Sequence, residues 1–184
     1  MVNAKKIIKE GFPALTAIVI IEVVAGLVLG TRTDLWIATP AFLMLVPPLN
    51  DLGNDIGCIL SSRFTTALHL GSMEPSLRRN GTLWENVLAA VVICIVSSLF
   101  IGVLVYLVAE ITMIDKVFLG TIVFVGFVSG LMLTLLIVGV ATLMAIFSWR
   151  RGLDPNNVTI PVVTAMADIT GIFCLMLVLR LAGL

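Results

Sequence analysis

Charged side chains are scarce in this sequence. Lys, Arg, Asp and Glu make up 12% of the 184 residues, and 60% of the residues are hydrophobic, whereas an ordinary soluble domain is about one quarter charged. This composition excludes a disordered chain and a nucleic-acid-binding domain. The eleven basic residues balance the eleven acidic ones, so net charge does not indicate a partner. We therefore predict an integral membrane protein whose surroundings are the lipid bilayer.

Cysteine and histidine are also rare, which limits the chemistry that the chain could perform. Cys58, Cys94 and Cys174 form no Cys-x-x-Cys pair, which indicates buried free thiols rather than a disulfide framework or a zinc site. His69 is the single histidine, and we expect it at the membrane interface. The sequence has no nucleophile–base set and no phosphate-binding loop. We therefore predict neither an enzyme nor an organic cofactor.

Long apolar runs dominate the remaining sequence. A membrane-spanning helix needs roughly 20 mostly apolar residues, and five runs satisfy this length. They cover about 12–29, 35–70, 87–108, 117–149 and 158–184. Their length and uniformity favour helices over the strands of an outer-membrane barrel. We predict an all-α integral membrane protein with five transmembrane helices, forming one domain over residues 1–184 without a cytosolic regulatory domain.

The distribution of basic residues predicts the orientation of these helices. Eight of the eleven Lys and Arg residues fall on the side of the N-terminus, and three fall on the opposite side. The positive-inside rule then places the N-terminus in the cytoplasm and the C-terminus outside. The predicted location is the cytoplasmic membrane, which the chain crosses several times.

Two polar insertions interrupt the apolar runs. The second run contains Asn50, Asp51, Asn54 and Asp55, and the fifth contains Thr164 and Asp168 in an otherwise apolar context. An ionisable side chain at mid-bilayer costs a few kcal/mol or more and marks a functional site. At about 1.5 Å per helical residue, the carboxylates of both runs fall in the middle or inner half of the membrane.

All of these donors are oxygen atoms, which suit hard cations such as Mg²⁺ or Ca²⁺ rather than copper or zinc. Pro47-Pro48 predicts a break or bend just before the acidic cluster. Gly53 and Gly57 would let the backbone approach an ion, and Pro161 is expected within the first turn of the fifth helix, where a missing donor costs little. The alternative is structural: Asp51 would cap a helix or pair with Arg63, and the other acids would bind backbone or hydroxyl groups.

The two polar stretches resemble the signature segments of the MgtE-type magnesium transporters and their eukaryotic solute-carrier relatives. The first is Pro48-Leu-Asn-Asp-Leu-Gly-Asn-Asp-Ile-Gly57, and the second is Leu153-Asp-Pro-Asn-Asn-Val-Thr-Ile-Pro161, followed by Thr164, Asp168 and Gly171. The resemblance implies a dimer whose second and fifth helices line a cation path, with Asp168 as the central ligand. Gly53, Asn54 and Thr164 match further pore-lining positions. The complete predicted set comprises the ion ligands Asp168, Asp51, Asn54 and Asp55 and the lining residues Gly53, Asn50, Gly57, Thr164 and Pro161.

The sequence also departs from the family pattern. Bacterial members usually have a second glycine where this chain has Leu52, and the acids at Asp51 and Asp55 are closer to the eukaryotic branch. Eukaryotic relatives fuse two five-helix units, and this chain holds one. The resemblance therefore implies a homodimer, or a heterodimer with a sister subunit.

Three functional hypotheses follow. The leading one is a homodimeric channel or transporter for Mg²⁺ or a related divalent cation. The second is an exchanger coupled to Na⁺ or H⁺, with acids such as Glu22 and Asp55 as coupling groups. The third is a membrane subunit that steadies a partner and transports nothing.

Overall fold

The fold is entirely helical in the part of the chain that the structure describes. The computed structural model describes residues 40–76, 81–114 and 117–183, together with scattered positions between 12 and 30. The helices are α1 (Pro40–Leu43), α2 (Val46–His69), α3 (Gly81–Thr112), α4 (Leu119–Arg150) and α5 (Pro155–Leu181). The described positions of the first predicted span, Glu22 among them, are helical as well. The prediction of an all-α protein is confirmed.

Three of the described helices are long and apolar enough to cross a membrane. They are Gly81–Thr112, Leu119–Arg150 and Asn156–Leu181, and they agree with the third, fourth and fifth predicted spans. The chain is therefore a multi-pass membrane protein. Helix α2 has sufficient length, at 24 residues, but its polar cluster makes it less apolar than the other three.

The short connections between α2, α3, α4 and α5 reverse the chain direction from one helix to the next. Helix α4 packs against α2, α3 and α5, and α2 packs against α5. Phe64 on α2, Ile137 on α4 and Val163 on α5 are fully buried and belong to one apolar cluster. Close packing of these side chains holds the polar α2 among three apolar neighbours.

A helix break precedes the acidic cluster, but it does not lie at the two prolines. The chain turns at Met44 and Leu45, between α1 and α2, and Pro47 and Pro48 lie in the first turn of α2. Proline is tolerated there because the first N–H groups of a helix have no acceptor within the helix. Helix α2 then continues unbroken through the whole cluster.

Helix α5 begins earlier than predicted, which changes the position of Pro161. The helix starts at Pro155, and Asp154 accepts a hydrogen bond from the Asn156 N–H at 3.0 Å. Asp154 is an N-cap followed by a proline, a strong start signal. Pro161 therefore lies inside the helix, and the prediction that it lies in the first turn was wrong.

Glycines bring α2 and α5 close together. A Cβ atom at Gly57 would overlap Val163 Cγ1 and lie 2.9 Å from Ile137 Cγ2. A Cβ atom at Gly53 would lie 3.3 Å from Ala167 Cβ. Small residues at these positions allow the two helices to approach until their polar side chains can meet.

Gly57→Ala should lower stability by about 1–3 kcal/mol because the new methyl group overpacks the contact between α2 and α5. Thermal unfolding of the purified protein in detergent measures the change. Gly139→Ala is the matched control, since no atom lies within 4 Å of a Cβ there. Val163→Ala combined with Gly57→Ala should recover part of the loss. Equal melting temperatures for Gly57→Ala and Gly139→Ala would contradict the packing.

Candidate functional site

The polar residues of α2 and α5 meet along an antiparallel seam. Asn50 lies against Gly171, Asn54 against Asp168, and Gly57 against Val163. As the chain advances along α2, its contacts move backwards along α5. The two polar insertions, more than 100 residues apart in sequence, therefore lie at one level of the bundle.

Two asparagine amides contact Asp168 across this seam. Asn54 Nδ2 donates to the Asp168 carboxylate oxygen Oδ1 at 3.3 Å. Asn50 Nδ2 donates to the backbone oxygen of Asp168 at 3.4 Å. All three residues are half-buried. The amides thus hold the carboxylate of α5 against α2 while they leave its second oxygen available.

The carbonyl oxygens of the same amides have no protein partner. Asn50 Oδ1 and Asn54 Oδ1 are buried and receive no hydrogen bond from any described residue. A buried acceptor without a donor is rare, because its desolvation costs about 1–3 kcal/mol. Two such acceptors beside a carboxylate form a group of oxygen atoms that suits a hard cation or its bound water.

Asp51 and Asp55 occupy a different face of α2. Both are exposed in the single chain, one helical turn apart, and Pro47 is exposed one turn earlier. Among the described residues no group of three His, Cys, Asp or Glu side chains is close enough to hold one ion. Within one chain these two acids therefore do not join Asp168 in a cluster. Arg63 does not pair with Asp51 either, because the two residues lie about 18 Å apart along α2; Arg63 Nη1 instead donates to Asn86 Oδ1 at 2.8 Å.

Two further predicted lining residues precede Asp168 on α5 and lie nearer the start of that helix. Thr164 is half-buried one turn before Asp168, and its hydroxyl donates to the Ile160 carbonyl at 2.8 Å. Pro161 is also half-buried and lies a further turn away in the same direction. Residues three and four apart share a face of a helix, so Pro161, Thr164 and Asp168 form one row.

Gly171 is a site residue that the sequence prediction did not include. A Cβ atom there would overlap Asn50 Oδ1, so the glycine makes room for the amide that binds the Asp168 carbonyl. The available signal was a glycine one helical turn after a buried acid. Gly171 belongs to the second stretch that resembles the family, but no role was predicted for it.

A family of divalent cation transporters matches most of this region. The pattern of the MgtE family, described as "Divalent cation transporter", matches residues 46–178, which includes all of the polar residues above. A transporter family agrees with the prediction of transport rather than catalysis.

Curated proteins of the solute carrier family 41 are also similar to the chain. Member 2 from Gallus gallus is 24% identical over 185 residues, covering 91% of this chain and 31% of the relative. Member 2 from Xenopus laevis is 24% identical, covering 91% and 32%. Member 3 from Rattus norvegicus is 25% identical, covering 90% and 38%. The chain thus spans about a third of the length of these relatives. No solved structure gives a significant match.

Gly171→Ala should displace the Asn50 amide and break its hydrogen bond to the Asp168 carbonyl, at a cost of about 1–2 kcal/mol. Thermal unfolding in detergent measures this cost. In an Asn50→Ala background the same substitution meets no amide, so its effect should be clearly smaller. Additive effects of the two substitutions would show that Gly171 does not act through Asn50.

Proposed function

Because the chain belongs to the MgtE family of divalent cation transporters, we propose that it moves Mg²⁺ through the cytoplasmic membrane along a path beside α2 and α5. The observation that supports this most directly is the 3.3 Å contact between Asn54 Nδ2 and Asp168 Oδ1. This contact places a carboxylate and two unpartnered amide oxygens at one level of a membrane-spanning bundle. Asp168 is the central ion ligand of the proposed path.

The sparse ligand set fits Mg²⁺ as the transported ion. Mg²⁺ loses its water reluctantly and is usually held by one or two carboxylates while it keeps several waters. Asp168 supplies the charge, and the oxygens of Asn50 and Asn54 accept hydrogen bonds from the waters. An inside-negative potential favours uptake by about 4.6 kcal/mol per divalent ion per 100 mV, twice the value for one charge.

The exposed face of α2 supports a path shared by two copies of the chain. Asp51 and Asp55 are exposed in the single chain, and carboxylates at this depth do not face lipid because the desolvation penalty is several kcal/mol. A second copy related by two-fold symmetry would cover this face and enclose water beside it. The acids then line the path level with Asp168 and toward its outer side, because Asn50 and Asn54, on either side of Asp51, lie against Gly171 and Asp168. A sister subunit with the same face would serve equally.

The proposed topology has five spans, with the N-terminus inside. The three apolar helices, the polar α2 and the apolar run near residues 12–29 supply these spans. Arg150 ends α4 and Arg151 follows it, and the positive-inside rule favours the cytoplasmic side for this end of the bundle. Asp51 and Asp55 then lie in the outer half of α2, which runs from Val46 to His69.

Asp168→Asn should reduce Mg²⁺ flux into proteoliposomes by roughly ten- to a hundredfold, because it removes the charge-assisted interaction of the central ligand. The asparagine keeps the size of the side chain, so folding should be retained. Glu110→Gln, an exposed acid near the end of α3, is the charge-matched control and should transport like the parent.

The same vesicles distinguish the mechanisms. A channel or uniporter transports Mg²⁺ equally with and without an imposed Na⁺ or pH gradient, whereas an exchanger with Glu22 or Asp55 as the coupling group requires one. Parent-like flux in Asp168→Asn would refute the site. Absence of flux in the parent under every gradient would refute transport by this chain alone and favour a supporting subunit.

Native Cys58 gives a test of the dimer. It lies three residues after Asp55 and seven after Asp51, which puts it beside the acids on α2, and it is half-buried. With Cys94 and Cys174 changed to alanine, a short bis-maleimide should link two copies through Cys58. Moving the single thiol to Val96→Cys, on the exposed face of α3, should give no linked dimer. Equal yields from the two positions would contradict an interface along α2.

A further inference from the structure

A polar groove separates the last turns of α2 from the first turns of α3. Its volume is about 460 Å³. Its polar lining comprises Ser62, Arg63, Thr66, Ser72, Glu85 and Asn86. Neither the seam between α2 and α5 nor the exposed acids belong to it. We propose that this groove binds the head group of an ethanolamine phospholipid.

Arg63 is exposed, but a hydrogen bond to a buried residue fixes its position at the groove. Its Nη1 donates to Asn86 Oδ1 at 2.8 Å, and Asn86 is only 9% exposed. Asn86 is itself fixed, because its Nδ2 donates to the Thr82 carbonyl at 2.7 Å. One partner leaves the guanidinium with further N–H donors, since it has five in a planar fork that matches a phosphate. The side chain is thus oriented for a phosphate group.

Glu85 supplies the second half of the charge pattern. It lines the same groove and is exposed at the start of α3. Among the described residues, the groove thus has one guanidinium and one carboxylate, a pair that complements a head group with one phosphate and one ammonium. A primary ammonium donates hydrogen bonds to a carboxylate, whereas the quaternary ammonium of choline cannot.

An apolar crevice continues from the groove along the bundle. It shares Arg63 and Asn86 with the groove, and its other lining residues are Ile56, Ile59, Leu60, Ala89, Ala90 and Ile93. The crevice is shallow, with a volume of about 30 Å³, so an acyl chain would lie against its apolar lining while the head group occupies the groove. A free phosphate or a soluble phosphoethanolamine would use only the polar end.

The depth of the groove matches the head-group region of the membrane. Arg63 lies six residues before the last residue of α2, about 9 Å along the helix. Trp84 lies beside the groove residues on α3 and is 64% exposed, as expected for tryptophan at a membrane interface. Basic pockets between helices at this level bind lipid head groups. Ile59 and Arg63 lie at the α3 edge of the exposed α2 face, away from the seam with α5.

The test compares three phospholipids with the same acyl chains and ethanolamine, choline or glycerol head groups. The purified full-length chain is mixed with equal amounts of them in detergent, and retained lipid is counted by native mass spectrometry. We expect the ethanolamine lipid to be retained over the choline lipid by roughly three- to tenfold, as one exposed charge-assisted contact predicts. Glu85→Gln should bring this ratio close to one, and Arg63→Gln should lower retention of all three lipids. Arg180→Gln, an exposed arginine at the opposite end of the bundle, should behave like the parent.

Two further arms test the acyl chain. Ala89→Trp should fill the crevice and lower lipid retention while Arg63 and Glu85 stay intact, and soluble glycerophosphoethanolamine should not displace the lipid. Displacement at equal concentration would overturn the proposal and indicate a soluble phosphate ester. The proposal also fails if the parent retains no lipid, which is the result expected when another copy or the N-terminal segment covers the groove. It fails as well if Glu85→Gln keeps the preference for the ethanolamine lipid. Because Glu85 is exposed and glutamine has the same shape, this variant tests the proposal even if Arg63→Gln does not fold.

Discussion

The close approach of α2 and α5 is the contact on which the polar centre depends. Gly53 and Gly57 on α2 and Gly171 on α5 remove side chains where the helices would otherwise be held apart. Side-chain amides reach only about 3 Å to their partners, so Asn50 and Asn54 contact Asp168 only when the backbones are this near. Fully buried apolar side chains from α4 support the seam from behind.

The polar residues Asn50, Asn54 and Asp168 lower the stability of the folded chain but provide oxygen atoms that could bind an ion. Asn50 Oδ1 and Asn54 Oδ1 are buried without a donor, which disfavours the folded chain unless a cation or its water supplies the missing interaction. A fully paired network would be more stable and would have no acceptor to offer. The unpaired oxygens, together with one acid, therefore agree with the proposed weak and reversible site for a hydrated ion.

Helix α2 presents three different surfaces to its surroundings. Its glycine side packs on α4 and α5, its acidic side is open in the single chain, and its α3 edge ends in the groove at Arg63. Within the part of one chain that the structure describes, only the glycine side is covered by neighbouring helices. The proposed second copy and the proposed phospholipid would satisfy the other two, so α2 is the element through which the chain depends on its assembly and its membrane.

The sequence alone determined that the protein is helical and that it lies in a membrane, and it predicted that the polar residues of two spans are its chemical centre. Length, apolar content and the rarity of charge are local properties, and they are sufficient for those conclusions. The resemblance further assigned Asp168 and the second and fifth helices to the ion path. The structural effects of the glycines and prolines were predicted less well. Pro47 and Pro48 start α2 instead of breaking it, and Pro161 lies inside α5, because helix boundaries depend on capping by residues such as Asp154.

Only the tertiary structure decided which polar residues meet. Asp51 and Asn54 are three residues apart in sequence, yet Asn54 contacts Asp168 and Asp51 faces outwards. The role of Gly171, the pairing of Arg63 with Asn86, and the groove at the end of α2 also depend on it. The physical reason is that a helix presents its residues in all directions, about 100° apart. The neighbours that give each direction its meaning come from distant parts of the chain.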